Sequence, residues 1–249
     1  MKEVLYAHLT PSEFCQLIAQ APIAYLPLGT LEWHGEHLPL GADGLQAQGF
    51  FIHLAREVGG IVLPMLFLGP DLHQGNYYGM DIVGFPKGQP HQLDGSAYWV
   101  RDHLFGELLE NILSQLARAG FKIVVAHGHG PSTRYFQNHA HAWEKKFYLK
   151  LFNCWDPSAG MDDELGIQMD HAGANETSLM MALHPELVHL NAISVGPDGS
   201  PEAVIGKDPR NYASAELGEK AIQHQVNRMV LLLQSELTTL NPSLKESKA

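Results

Sequence analysis

The chain is poor in cysteine and in positive charge, and each shortage removes a class of function. Its two cysteines, Cys15 and Cys154, lie far apart in unlike contexts, which excludes both a disulfide framework and a thiolate metal knuckle. Sixteen Lys and Arg stand against 27 Asp and Glu, a formal net charge of −11, and the basic residues form no run. That balance argues against nucleic acid or an anionic membrane as partner. No apolar stretch approaches the roughly 20 residues that span a bilayer. The start, Met1-Lys-Glu-Val-Leu-Tyr6, has no apolar core of the kind a secretion signal carries, so a cytoplasmic protein is expected. Repeats, low-complexity tracts and an interdomain linker are also missing.

What remains is an ordinary globular composition, 45% hydrophobic over 249 residues, enough for one large α/β domain. Apolar runs alternate with amphipathic stretches, the pattern of βαβ units and a largely parallel sheet. Strands are expected near 22–29, 60–66, 121–126 and 147–152, with a weaker candidate at 191–195. Helices are expected near 11–20, 43–58, 97–119, 132–146, 175–183 and 212–238. The first of these opens on Thr10-Pro-Ser-Glu13, a helix-start signature with proline in the first turn. Residues 68–96 interrupt the alternation with turn formers, and a loop of that length inside a compact domain is more often functional than idle. One domain over 1–240 and a frayed tail over 241–249 are expected.

Histidine is in excess, at fifteen copies, and position decides which of them matter. Leu28-Gly-Thr-Leu-Glu-Trp-His-Gly-Glu-His-Leu-Pro-Leu-Gly-Ala-Asp43 follows directly on an apolar run, Ile23–Leu28. The polar cluster therefore falls at a strand's carboxyl end, where open α/β sheets place their sites. Glu32, His34 and Asp43 are metal-ligand types, and imidazole with carboxylate suits zinc, manganese or iron. In extended backbone Glu32 and His34 share a face, and a carboxylate such as Asp43 can bridge two metals roughly 3.5 Å apart. A second segment, Phe121-Lys-Ile-Val-Val-Ala-His-Gly-His-Gly-Pro-Ser132, runs a strand into a glycine turn. It offers His129 as a ligand, and His127 as its support or as part of the pocket wall. A third, Met169-Asp-His-Ala-Gly-Ala-Asn-Glu-Thr-Ser178, brings His171 and Glu176 to the mouth of a helix. Standing alone, it reads first as a capped helix start, with Asn175 or Thr177 as cap and Glu176 as a first-turn acid.

Together the segments resemble the creatininase family of metal hydrolases. Leu28–Asp43 is similar to the family's E-x-H-G-x-H-L-P pattern, His127-Gly-His-Gly130 to its N-G-H-G, and His171-Ala-Gly-Ala-Asn-Glu-Thr-Ser178 to its H-A-G-x-x-E-T-S. Gly206-Lys-Asp-Pro-Arg210, ahead of Ala213-Ser-Ala-Glu-Leu-Gly218, resembles the G-D-P before the family's last helix. The matches run in order from about residue 23 to 220.

The resemblance implies a single three-layer α/β/α domain in a homo-oligomer, often hexameric. It also implies a two-metal centre, with zinc, manganese or iron as the ions, that hydrolyses C–N bonds of small and often cyclic amides. By position, Glu32 and His129 correspond to ligands of one metal, His34 to a ligand of the other, Asp43 to the bridge and Glu176 to the remaining carboxylate. His171 corresponds to the proton donor or acceptor beside the scissile bond. Trp155 falls where the family has a tryptophan on a loop over the site. His73, Tyr77, Tyr78 and His127 are candidates to line the pocket, and His37 to bond a ligand or the substrate.

Three departures accompany these matches. Pro131 stands where the family pattern has a carboxylate two positions after the ligand histidine, so the second metal depends on Glu176. His127 replaces the family's asparagine. The stretch Met80–Gly88 lacks a histidine that many relatives carry. Two other readings stay open: a relative acting on a formamide or a peptide-derived substrate, and a non-catalytic metal- or metabolite-binding protein on the same fold.

Overall fold

The computed structural model describes residues 3–70, 95–155, 163–196 and 199–240, with the backbone alone at 73–74 and 77–78. The tail 241–249 and most of the turn-rich stretch lie outside the described residues. The elements in chain order are α1 Pro11–Gln20, β1 Ile23–Leu28, α2 Ala42–Val58, β2 Ile61–Val62, the short pair β3 His73–Gln74 and β4 Tyr77–Tyr78, and α3 Asp102–Arg118. These are followed by β5 Ile123–Gly128, α4 Gly130–Phe147, β6 Lys150–Phe152, α5 Ala174–Leu183, α6 Pro209–Tyr212 and α7 Ala215–Leu240.

Four strands form one sheet in the order β2-β1-β5-β6, every pair parallel. All six residues of β1 and of β5 are buried, as expected for a parallel sheet covered on both faces. The two-residue period divides them between two cores. Ile23, Tyr25, Ile123 and Val125 face α2, α5 and α7, packing against Phe50, Phe51, Leu54, Leu179 and Met229. Ala24, Leu26, Leu28, Val124 and Ala126 face α1, α3 and α4, packing against Leu17, Phe105, Leu109, Leu113, Phe136 and Trp143. The result is a three-layer α/β/α sandwich, and β3 pairs with β4 outside the main sheet.

The strand order fixes where a site can form. From β1 the chain crosses through α2 on one face to β2, whereas from β5 it crosses through α4 on the other face to β6. Crossovers of one hand that travel in opposite directions must use opposite faces. The loops after β1 and β5 therefore diverge and open a crevice at the sheet's switch point. Register places Leu28 opposite Gly128, so both strands end level. Gly128 has φ +137, and a Cβ there would lie 1.7 Å from the Leu28 carbonyl oxygen; glycine alone fits this approach. A second close approach, Gly218 against the Ser178 carbonyl, lets α7 cross α5 in backbone contact.

Most expected elements are present, with corrections at their ends. The expected start of α1 carries a capping box: Thr10 Oγ1 accepts from the Glu13 backbone N–H, and the Thr10 N–H donates to the Glu13 carboxylate. The strand expected over 60–66 is ordered as β2 only at Ile61–Val62. The helix expected over 97–119 begins at Asp102, because the residues before it brace the site loop: the Ala97 N–H donates to the Leu31 carbonyl and the Val100 N–H to that of Gly69. The helix expected over 212–238 is two helices that meet at Ala213-Ser214, with α6 opening on Pro209 and capped by Asp208. No strand forms at 191–195. Leu190–Ala192 is a 3-10 turn, and Val195, half exposed, bridges only Pro201, since the run reaches no edge of the sheet. No helix among the described residues is long and apolar enough to cross a membrane.

Candidate metal centre

The loop after β1 is held from several sides. The Glu32 N–H donates to the Leu40 carbonyl, the Trp33 N–H to Ser96 Oγ, and the Trp99 indole N–H to Thr30 Oγ1. Asp43 enters from the first turn of α2, His129 from the cap position of α4, and Glu176 from the first turn of α5. That first turn is capped neither by Asn175 nor by Thr177. The Asp170 carboxylate takes the Asn175 and Glu176 N–H groups, which frees Asn175 to hold the preceding loop at Gly166 and Met169.

These elements deliver Glu32, His34, Asp43, His129 and Glu176 to one buried cluster. Among the described residues three sets of ligand atoms lie close enough to share an ion, each within 4.8 Å: Glu32, His34 and His171; Glu32, Asp43 and His129; and, next to it, His34, Asp43 and Glu176. Asp43 belongs to the last two. His34 Nε2 is 3.4 Å from Asp43 Oδ1 and 3.5 Å from Glu176 Oε2, and His129 Nε2 is 3.7 Å from Glu32 Oε1. These gaps exceed hydrogen-bond length and suit atoms that surround a common cation. Both Nε2 atoms are buried with no hydrogen-bond partner, an arrangement that native proteins avoid unless something else fills the role.

The opposite ring nitrogens explain why Nε2 is the free atom. Nδ1 of His34 lies 3.3 Å from the Glu32 carbonyl, and Nδ1 of His129 lies 2.9 Å from Ser132 Oγ. A ring that donates from Nδ1 keeps a lone pair on Nε2 for a metal. Without a metal, the surrounding carboxylates draw a proton to this same place instead. Burial resists a charged His34 ring, yet Asp43, Glu176 and Glu32 outweigh burial and hold its pKa well above the usual value. Burial pushes the Glu176 carboxyl well up, and neighbouring Asp43 and Asp170 add to that effect. The buried donor set carries three carboxylates and is short of positive charge, which a divalent cation supplies.

His171 sits at the edge of this cluster. Its ring stacks on His34 with centroids 4.4 Å apart, its Nε2–H donates to the Trp33 carbonyl at 2.8 Å, and Nδ1 is 4.0 Å from Glu32 Oε1. Its side chain is 19% exposed, against 8% or less for the other members. Burial and the facing His34 bring its pKa down to about 3.

The remaining candidates fall elsewhere. His127 is fully buried beneath the edge of Trp155, ring centroids 6.0 Å apart, and bonds the Ile167 carbonyl. His37 is buried against Thr177 Oγ1 at 2.9 Å. Pro131 occupies the first turn of α4, where a missing N–H is harmless. The side chains of His73, Tyr77 and Tyr78 lie outside the described residues. Three residues that sequence reasoning passed over also serve the site: Ser132, Asp170 and Gln168. Polar residues in loops and first turns are too common to single these out without the fold.

The comparisons agree with this geometry. A family model described as Creatininase: Creatinine amidohydrolase matches residues 7–233. The chain belongs to the creatininase family. It is 28% identical over 228 residues to a creatinine amidohydrolase of Pseudomonas putida, covering 84% of this chain and 83% of that one. It is 25% identical over 225 residues to a 3-dehydro-scyllo-inosose hydrolase of Thermotoga maritima, covering 82% of this chain and 64% of that one. Its fold superposes on a creatinine amidohydrolase crystal structure with a TM-score of 0.74 at 22% identity, covering 95% and 98% of the two chains. Solved structures of the same fold include a creatininase in an Mn form and a mutant creatininase of Zn-Zn type. This creatininase-family chain is a hydrolase by its relatives, on the α/β fold of theirs.

Proposed function

We propose that the chain is a metal-dependent amidohydrolase that cleaves a C–N bond of a small cyclic amide of the creatinine type. The observation that carries this reading is the pair of ligand groups sharing Asp43, with the partnerless Nε2 atoms of His34 and His129 turned toward them. Glu32, Asp43 and His129 would hold one divalent ion, and His34, Asp43 and Glu176 a second; zinc and manganese suit these donors, as does iron. When bound, such a pair supplies Lewis-acid polarisation of a carbonyl and acidification of a water at neutral pH.

The protein's own contribution is orientation and proton transfer. The Trp33 carbonyl fixes the tautomer of His171 and leaves its Nδ1 lone pair facing Glu32 at 4.0 Å. A neutral imidazole there accepts a proton from the attacking water and returns it to the leaving nitrogen. Glu176, fixed by the Ala172 N–H at 2.8 Å, is the second group placed to hold a proton beside the reacting atoms. By the family resemblance Trp155 is assigned as the cover over a flat substrate, and His73 and Tyr78 to the pocket wall. Assembly into a homo-oligomer, a hexamer by family resemblance, and a cytoplasmic location complete the proposal.

A second reading, a related hydrolase acting on a formamide or another C–N bond, is favoured by Pro131, which replaces a ligating carboxylate of the family pattern. A panel of creatinine, other cyclic amides and formamides, assayed with metal-reconstituted protein, separates the two. Ring opening of a cyclic amide supports the first reading and turnover of a formamide alone the second. Two bound metals with no turnover of any panel member would contradict both.

A further inference from the structure

Gln168 reaches the same oxygen of the Asp43 carboxylate as His34 does. Its amide Nε2 is 3.1 Å from Asp43 Oδ1 and 3.2 Å from the Asp43 carbonyl oxygen. Both partners are acceptors, so the amide nitrogen must face them and no flipped assignment is possible. The oxygen that takes this bond is the one 3.4 Å from His34 Nε2.

The surroundings hold Gln168 in an unfavourable backbone conformation, φ +54, which a non-glycine residue keeps only when its neighbours enforce it. Those neighbours are named groups. His127 Nε2–H donates to the carbonyl of Ile167, the residue before it. The Met169 N–H, on the residue after it, donates to Asn175 Oδ1, and the α7 side chain of Gln225 donates to the Leu165 carbonyl. Gln168 is itself 8% exposed. The histidine that departs from the family motif thus acts on this loop rather than on the metal ligands.

We propose that Gln168 is a positioning residue for Asp43: it fixes the carboxylate rotamer and adds a hydrogen bond to one oxygen only, so that the two ligand groups sharing Asp43 are unequal. The inference rests on the dinuclear reading above. A carboxylate oxygen has two lone pairs; Gln168 occupies one on Oδ1 and leaves the other directed at the His34 and Glu176 side. Orienting groups of this kind govern metal affinity through the ligand they hold.

The test uses the full chain stripped of metal and titrated with Co2+ alone, read by visible absorption, for the unaltered protein, Gln168→Met and Gln168→Glu. Methionine keeps the length and volume of the side chain and cannot donate; glutamate keeps its shape but replaces the amide with a carboxyl that, when ionised, repels Asp43. In both variants one of the two binding steps should weaken about 10- to 100-fold while the other moves by less than about 3-fold. Unchanged steps, or an equal loss at both, overturn the proposal. The unaltered 15N-labelled protein gives an independent reading: the Gln168 side-chain amide should show a slowly exchanging proton that Asp43→Ala releases. An amide exchanging at solvent rates overturns the contact even if neither variant folds. A normal amide signal in a protein that binds no Co2+ would remove the dinuclear reading and leave the Gln168 to Asp43 contact standing.

Discussion

Gly128→Ala tests how the site depends on the sheet. The added Cβ lies 1.7 Å from the Leu28 carbonyl oxygen and 2.8 Å from its carbon, at a φ of +137. Those atoms belong to β1, whose movement is blocked by a core buried on both faces. Overpacking a rigid neighbour costs ~1–3 kcal/mol and a backbone conformation of this kind another ~1–3 kcal/mol, so the variant should lose roughly 2–6 kcal/mol. For a chain of this size that is a fall of about 5–20 °C in the melting temperature. Relief requires the ends of β1 and β5 to part, which breaks the His129 N–H bond to the Leu28 carbonyl and draws the ligand ring away from Glu32. Metal affinity should fall together with stability. Gly130→Ala, two residues on, is the control, because its Cβ would meet nothing within 4 Å and should leave the melting temperature within about 2 °C. Thermal unfolding of the metal-free proteins measures both. A Gly128→Ala variant that melts with the control refutes the reasoning.

His171→Ala should keep full metal content by elemental analysis and lose ~10²–10⁴-fold in turnover; loss of metal would make His171 a ligand instead of a proton carrier. Burial brings the His127 pKa down to about 4 from an ordinary value of ~6.5, so between those values the unfolded chain binds more protons than the folded one. Metal-free stability in urea should therefore fall as pH drops through that window, by up to ~3 kcal/mol from this group, and His127→Gln should flatten the fall; an unchanged slope would count against a neutral buried ring. Thr10→Ala removes one half of the capping box on α1 and should cost ~1 kcal/mol without any effect on metal binding.

The parts of the fold visible in the sequence are those set by short-range pattern. β1 is a continuous apolar run and α1 is marked by Thr10, Pro11 and Glu13, so their positions could be read almost to the residue, whereas β5 runs two residues later than expected, on through His127 and Gly128. The ends of α3 and α7 could not, because they depend on distant partners: Leu31 draws Ala97 into an extended bridge, and Asp208 caps α6 through the Arg210 N–H. Site residues divide in the same way. Glu32, His34, Asp43, His129, His171 and Glu176 are chemistry-bearing types inside glycine-rich turns that follow strands or open helices, and the fold brings all six within reach of one another. Gln168 carries no local mark. It matters because the chain between β6 and α5 returns beneath α2, a contact between residues 125 apart in sequence. His127 looked like pocket lining because it neighbours a ligand histidine, but strand alternation turns it inward with Ile123 and Val125, onto the face covered by α2, α5 and α7.

The most direct test of the two-metal reading is metal content per chain by elemental analysis, on protein purified without added metal, for the unaltered chain and for Asp43→Ala. A dinuclear centre bridged by Asp43 requires two equivalents in the first and less than one in the second, since a single substitution removes a ligand from both groups. One equivalent or none in the unaltered chain, or two retained by Asp43→Ala, would contradict it.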